Sequence, residues 1–378
     1  MKRLAILITA LIIILVGCNA TTEPTTEATQ PTSETTTQVA TTTEQTTTQT
    51  TTEVATTTVA ETTADPNIPG EGEVYSAING TVIPEASAAQ RPLAVMMDNF
   101  YAARPQAGLN AADIVYEAYV EGRITRYMAV FQSHLPELIG PIRSSRPYYL
   151  RLAMEYDAYY AHVGGSMQAM TDIINFQMAD VDGLASGKDT FWRKKHKKIP
   201  NNMYASSESL IAWANRRKYR TEAKFDSWKF GDDYGAQDAE KLTGFEITYR
   251  QGKGENDKFH YVPGFDYDEK SGKYLRKLNG EAYLDEVTEE QLYADSIIIQ
   301  CAKTRVIDSY GRLAIDVVGS GKGYYLYDGV AIPITWKKDA RRERTRYYTA
   351  DGDALVLKRG KIWVQLVKPD FELVQKGE

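Results

Sequence analysis

The chain has 378 residues, of which 43% are hydrophobic and 25% charged, and its formal net charge is −6. This length supports more than one hydrophobic core, while the mildly acidic balance lacks the basic excess of a general nucleic-acid binder. The two cysteines, Cys18 and Cys301, give no disulfide framework, and the four histidines have no Cys/His cluster beside them that would hold a structural zinc. No metal and no cofactor is therefore expected.

The first residues indicate export. Met1-Lys2-Arg3 is basic, Leu4 to Val16 is apolar apart from Thr9, and Leu15-Val16-Gly17-Cys18 follows. The apolar run is short for a membrane-spanning helix and has the order of a signal peptide, taken as residues 1–17. The closing tetrapeptide resembles the lipobox of bacterial lipoproteins, which implies cleavage before Cys18 and lipid such as palmitate on the mature protein. The cytoplasmic membrane is then the first partner, and the expected location is lipid-anchored at its extracytoplasmic face.

Residues 21–64 hold 23 threonines and six glutamates with no lysine or arginine. Such a segment cannot bury enough apolar surface to offset its ordering entropy, so residues 18–72 are expected to be a lipidated cysteine followed by a disordered tether.

A first folded domain is expected over residues 73–240. "PLAVMMD", "DIVYEAYVE", "TRYMAVFQS" and "AYYAHVG" read as strands, residues 147–156 as a helix, and Gly164-Gly165-Ser166 as the turn and cap before the helix "MQAMTDIINF". A last helix is "SESLIAWANRRKY". Strand, glycine turn and helix in succession form the pattern of a layered α/β domain. Over 241–378 the rhythm changes to short strands such as "FEITYR", "SIIIQCA", "AIPITWK" and "KIWVQLV", with turn signals at Asn279-Gly280 and Asp328-Gly329. The fold class is therefore α+β with two domains, the second mainly antiparallel and built as a sandwich or open barrel. One helical turn is expected at Thr288–Gln291 from its capping-box spacing, and "GSGKG" at 319–323 reads as a hairpin turn.

The motifs "RPLAVMMDN", "ARPQAGLNAADIVYEAYVEGRITRYMAVFQS", "IGPIRSSRPYYL", "HVGGS" and "KTRVIDSYGRLAIDVVGSGKGYYLYDGVAIPITWKK" resemble the YerB-like lipoproteins of Gram-positive bacteria, two tandem domains of unknown function. The resemblance implies a membrane-anchored extracytoplasmic protein and no particular reaction. The chain departs from that pattern in having Arg123 where a second glycine is usual, and Asn201 where a histidine is usual.

The sharpest candidate site is "IGPIRSSRPYYLRL". Pro147 suits the first helical position, which places Arg146 where an oxygen-bearing cap is preferred. Arg143, Ser144, Ser145 and Arg146 could hold a phosphate or carboxylate there. Alternatively, the arginines pair with Asp98, Glu117 or Glu121 while Ser144 or Ser145 supplies the cap. His162, Gly164, Gly165 and Ser166 lie at the end of a strand, where ligands of α/β sheets gather, and join the candidate ligand-binding set. The basic run "RKKHKK" at 193–198 and "ARRERTR" at 340–346 read as solvated loops or strand edges with a subsidiary chance of partner contacts, and Cys301 as a buried thiol. The leading expectation is a binding or regulatory module of the cell envelope whose ligand is anionic or a wall-synthesis protein. The alternative is an envelope hydrolase or transferase using Arg143, Arg146, His162 and Ser166, with no catalytic residue assigned.

Overall fold

Five strands of the first half alternate their side chains between two apolar layers. The strands are β1 (Leu93–Asp98), β2 (Ile114–Tyr119), β3 (Thr125–Phe131), β4 (Tyr159–His162) and β5 (Ala179–Asp182). Along β1, Leu93, Val95 and Met97 enter one cluster and Ala94 and Met96 the other, the period of two that a strand imposes. Both faces are covered, which explains why these segments read as continuous apolar runs. The computed structural model describes residues 65, 67–232, 234, 239–253 and 257–376. The signal peptide, Cys18 and the threonine-rich segment to residue 64 lie outside them.

The second half contributes β6 (Gly244–Glu246), β7 (Pro263–Asp268), β8 (Lys273–Leu278), β9 (Ser296–Cys301), β10 (Gly319–Tyr327), β11 (Val330–Lys338) and β12 (Ile362–Val367). Strands β9 to β12 do not form a sheet of their own. They extend the first sheet into one of 11 strands, running β11, β10, β9, β12, β2, β3, β1, β4, β5, with Glu240–Lys241 and Arg346–Tyr348 both paired to β11. The junction is β12 beside β2, parallel, with Val364 opposite Tyr116.

On one face lie α1 (Pro147–Ala153) and α2 (Met167–Asn175), burying Tyr149, Leu150, Ala169 and Ile173 against Met96, Met128 and Tyr160. On the other lie α3 (Ser207–Arg216) and the five-stranded sheet built on β6, β7 and β8. Phe265 of β7 meets Trp363 of β12 with ring centroids 5.7 Å apart, so the second half does pack sheet upon sheet. The class is α+β.

Two local expectations change. Residues 288–291 form no helical turn: Glu289 has φ 57°, and Leu284 pairs with Gln291 across a tight β connection. "GSGKG" is not a turn but the first part of β10, and the reversal comes at Asp328-Gly329, φ 45° and 76°. Gly323 serves close approach, since a Cβ there would lie 2.2 Å from the Ile299 carbonyl oxygen.

Candidate functional site

The segments 143–146 and 162–166 run side by side at the carboxyl ends of β1 and β4. Val163 N–H donates to the Arg143 carbonyl at 3.1 Å, Ser145 N–H to Gly164 at 2.9 Å, and Ser166 N–H to Ser145 at 3.3 Å. All eight candidate residues therefore lie on two adjoining stretches of backbone. Gly164 turns the chain with φ +61°, and its N–H donates to Asp182 Oδ1 at 2.8 Å.

Two of the three acids proposed for the arginines, Asp98 and Glu121, are in place. Arg143 Nε lies 3.2 Å from Asp98 Oδ2, and Arg146 grips Glu121 with Nε to Oε1 at 2.7 Å and Nη2 to Oε2 at 2.8 Å. Burial pushes the Glu121 carboxyl up, but the hydrogen bonds and charge of Arg146 outweigh it and hold the group below its ordinary value. Glu117 takes neither arginine and pairs instead with Arg276. No side chain caps α1. Pro147 has no N–H to satisfy, and the Tyr149 and Leu150 N–H groups donate to the Arg146 carbonyl at 3.1 and 3.4 Å. Ser144 and Ser145 are used otherwise: the Ser144 carbonyl accepts from Arg126, and the Ser145 hydroxyl meets Tyr160 Oη at 2.8 Å.

His162 and Ser166 do not meet as a catalytic dyad. The imidazole is fully buried, with Nε2 2.6 Å from Asp180 Oδ1 and Nδ1 2.8 Å from the Gly164 carbonyl. The Ser166 hydroxyl caps α2 by accepting from Ala169 N–H at 3.3 Å. Both ring nitrogens are engaged by other groups, so no nucleophile–base hydrogen bond joins His162 to Ser166.

One residue that sequence reading passed over completes the cluster. Arg126 stands opposite Asp98 in the β1–β3 register and is only 5% exposed. Its Nη1 donates to the Ser144 carbonyl at 2.8 Å, while its Nε is buried without a hydrogen-bond partner. Burial, helped by the charges of Arg146 and Arg143 and opposed by Asp98, pulls this guanidinium down to about 10. Three arginines thus gather with two carboxylates, Asp98 and Glu121. The signal was available as a charged residue inside an apolar strand.

A neighbouring cavity of about 300 Å³ is bounded by Arg146, Ser166, Gln168 and Thr171 of the first half and by Ile307, Asp308 and Arg312 of the second. Asp98 also holds Asn201, whose Nδ2 lies 2.6 Å from Oδ2. Arg123 keeps a left-handed backbone, φ 58°, despite its side chain. Among the described residues, no group of three or more His, Cys, Asp and Glu side chains is placed to hold a metal ion.

The sequence matches two family profiles in tandem: "Protein of unknown function (DUF3048) N-terminal domain" over residues 79–220 and "Protein of unknown function (DUF3048) C-terminal domain" over residues 255–364. The chain belongs to the DUF3048 family. It is 33% identical over 291 residues to YerB of Bacillus subtilis (strain 168), a protein named as a lipoprotein, covering 76% of this chain and 85% of the relative. The crystal structure of the Bacillus subtilis YerB protein is similar, with a TM-score of 0.71 and 30% identity over 79% of this chain and 97% of the other. Both DUF3048 domains are therefore present, in the order that the motif resemblance implies.

Proposed function

We propose that this DUF3048 protein is a lipid-anchored binding module at the extracytoplasmic face of the cell membrane, and that it holds an anion, phosphate or carboxylate, carried by an envelope molecule or a wall-synthesis protein. The name of the Bacillus subtilis relative supports lipid on Cys18. The observation that carries the anion is Arg126: a buried guanidinium with an unpartnered Nε, beside Arg143 and Arg146, in a cluster short of negative charge. An anion there would supply both the missing acceptor and the missing charge.

Binding is favoured over hydrolysis or group transfer because His162 and Ser166 are each engaged elsewhere. The test is a melting screen of the full chain with inorganic phosphate, acetate and chloride at matched ionic strength. Phosphate or acetate should raise the melting temperature where chloride does not, and equal responses would remove the anion-site reading.

A further inference from the structure

The open groove at the amino end of α3 is separate from the arginine cluster. It encloses about 670 Å³ between Leu135 and Glu137 on one side, Trp192 on another, and Ser207, Glu208 and Ile211 on the helix. The helix start is fully capped without Ser207: Ser206 Oγ accepts from Ser209 N–H at 3.0 Å, and Ser209 Oγ accepts from Ser206 N–H at 3.1 Å. Ser207 is 2% exposed, lines the groove, and has a hydroxyl with no hydrogen-bond partner. A buried hydroxyl left unpaired is costly, so a ligand group that reached it from the groove would relieve that cost.

The surrounding charges narrow the ligand class. Glu137 and Glu208 are exposed, and neither forms an ion pair among the described residues, so an anion would be repelled. The amino end of α3, a ten-residue helix, carries partial positive charge that offsets part of the carboxylates' charge and so weakens the pull on a bare cation. A neutral ligand rich in hydroxyl groups satisfies every wall. Its hydroxyls would donate to the two carboxylates and exchange a hydrogen bond with Ser207, its C–H face would lie on the Trp192 ring, and a methyl group would contact Leu135 and Ile211.

We propose that this groove is a saccharide-binding site, with Trp192 as the stacking platform and Ser207 as the buried hydrogen-bonding anchor. The probe is the trimer of N-acetylglucosamine, which presents a pyranose face, hydroxyls and acetamido methyls together. It is titrated calorimetrically into the full chain held in a detergent without a sugar headgroup.

Saturable binding to one site is expected, weakened about tenfold or more by Trp192→Ala, the factor corresponding to about 1.4 kcal/mol. Ser207→Ala deletes only a hydroxyl that the free protein leaves unpaired, so it should weaken the sugar while the melting temperature holds or rises. Absence of saturable binding to the parent overturns the proposal. So does binding that survives both variants unchanged, or an amine such as lysine methyl ester binding more tightly than the trimer.

Discussion

Glu117 and Arg276 meet at 2.7 Å with side chains 0% and 1% exposed, and they join β2 of the first half to β8 of the second. The carboxylate is well supplied: Oε1 also accepts from Thr125 Oγ1 at 2.6 Å and from Tyr261 Oη at 2.6 Å. The guanidinium is not, because its Nε and Nη1 are buried without hydrogen-bond partners. It lies instead over the Trp363 and Phe265 rings, 4.2 and 4.9 Å from their centroids. Removing one partner leaves the other as an isolated buried charge. Arg276→Met should therefore cost about 3–5 kcal/mol, measured by denaturant unfolding, and the double variant Glu117→Gln/Arg276→Met should recover much of it. A single variant as stable as the parent would show that the pair contributes nothing to the union of the halves.

Tyrosine burial predicts alkaline unfolding. Burial pushes Tyr116, Tyr127, Tyr149, Tyr249 and Tyr347 well above the ordinary phenol value. Their folded values exceed the unfolded one, so the stability they confer is intact below about pH 10 and is lost as pH climbs toward the folded values. Each withholds about 1.4 kcal/mol per pH unit in that window. Arg126, with a folded value of about 10 against 12.5, and Arg91, which burial also lowers, have the opposite sign, but two groups do not offset five. Above about pH 10, tyrosinate absorbance from the buried rings and loss of the circular dichroism signal should therefore appear together. Ionisation of those rings with the fold intact would contradict the prediction.

What the sequence disclosed and what it withheld divide along contact range. β1 was legible because an apolar run ends at Asp98-Asn99, and the cap of α2 because Ser166 follows two glycines. Both are local. The pairing of Val364 with Tyr116 joins segments far apart in the chain, and no periodicity announces it. "ARRERTR" looked like a polar loop, yet Arg344 is 2% exposed and stacks over the Trp228 and Tyr156 rings, 3.9 and 4.3 Å from their centroids. In "RKKHKK", Lys197 is tied to Glu286 and donates to Tyr204 Oη at 2.8 Å, so part of that run is structural. Within the candidate site, the arginine pairs with Asp98 and Glu121 were among the readings that sequence allowed. The role of Arg126 was hidden because a strand residue's neighbour across the sheet is set by register.

The lipid anchor is tested by one substitution. If Cys18 carries the lipid, Cys18→Ala should move the protein from the membrane to the soluble fraction. No helix among the described residues is long and apolar enough to cross a membrane. Equal membrane fractionation of parent and variant would refute the lipobox reading.

The arginine cluster separates structure from ligand binding through two different variants. Arg143→Gln with Arg146→Gln strips Asp98 and Glu121 of their cations, and Asp98 is only 2% exposed, so the double variant should lose about 1–3 kcal/mol of stability. Its failure to bind an anion would then be uninformative. Arg126→Met is the sharper test. Burial already disfavours the charge of Arg126 in the fold, and methionine keeps much of the apolar stem, so relief of the uncompensated cation should largely balance the lost bond to Ser144. This variant should melt within a few degrees of the parent in chloride. In phosphate or carboxylate at about 100 times the dissociation constant, the parent should gain about 2.7 kcal/mol, whereas Arg126→Met should gain little. Equal stabilisation of parent and variant would place the anion away from Arg126.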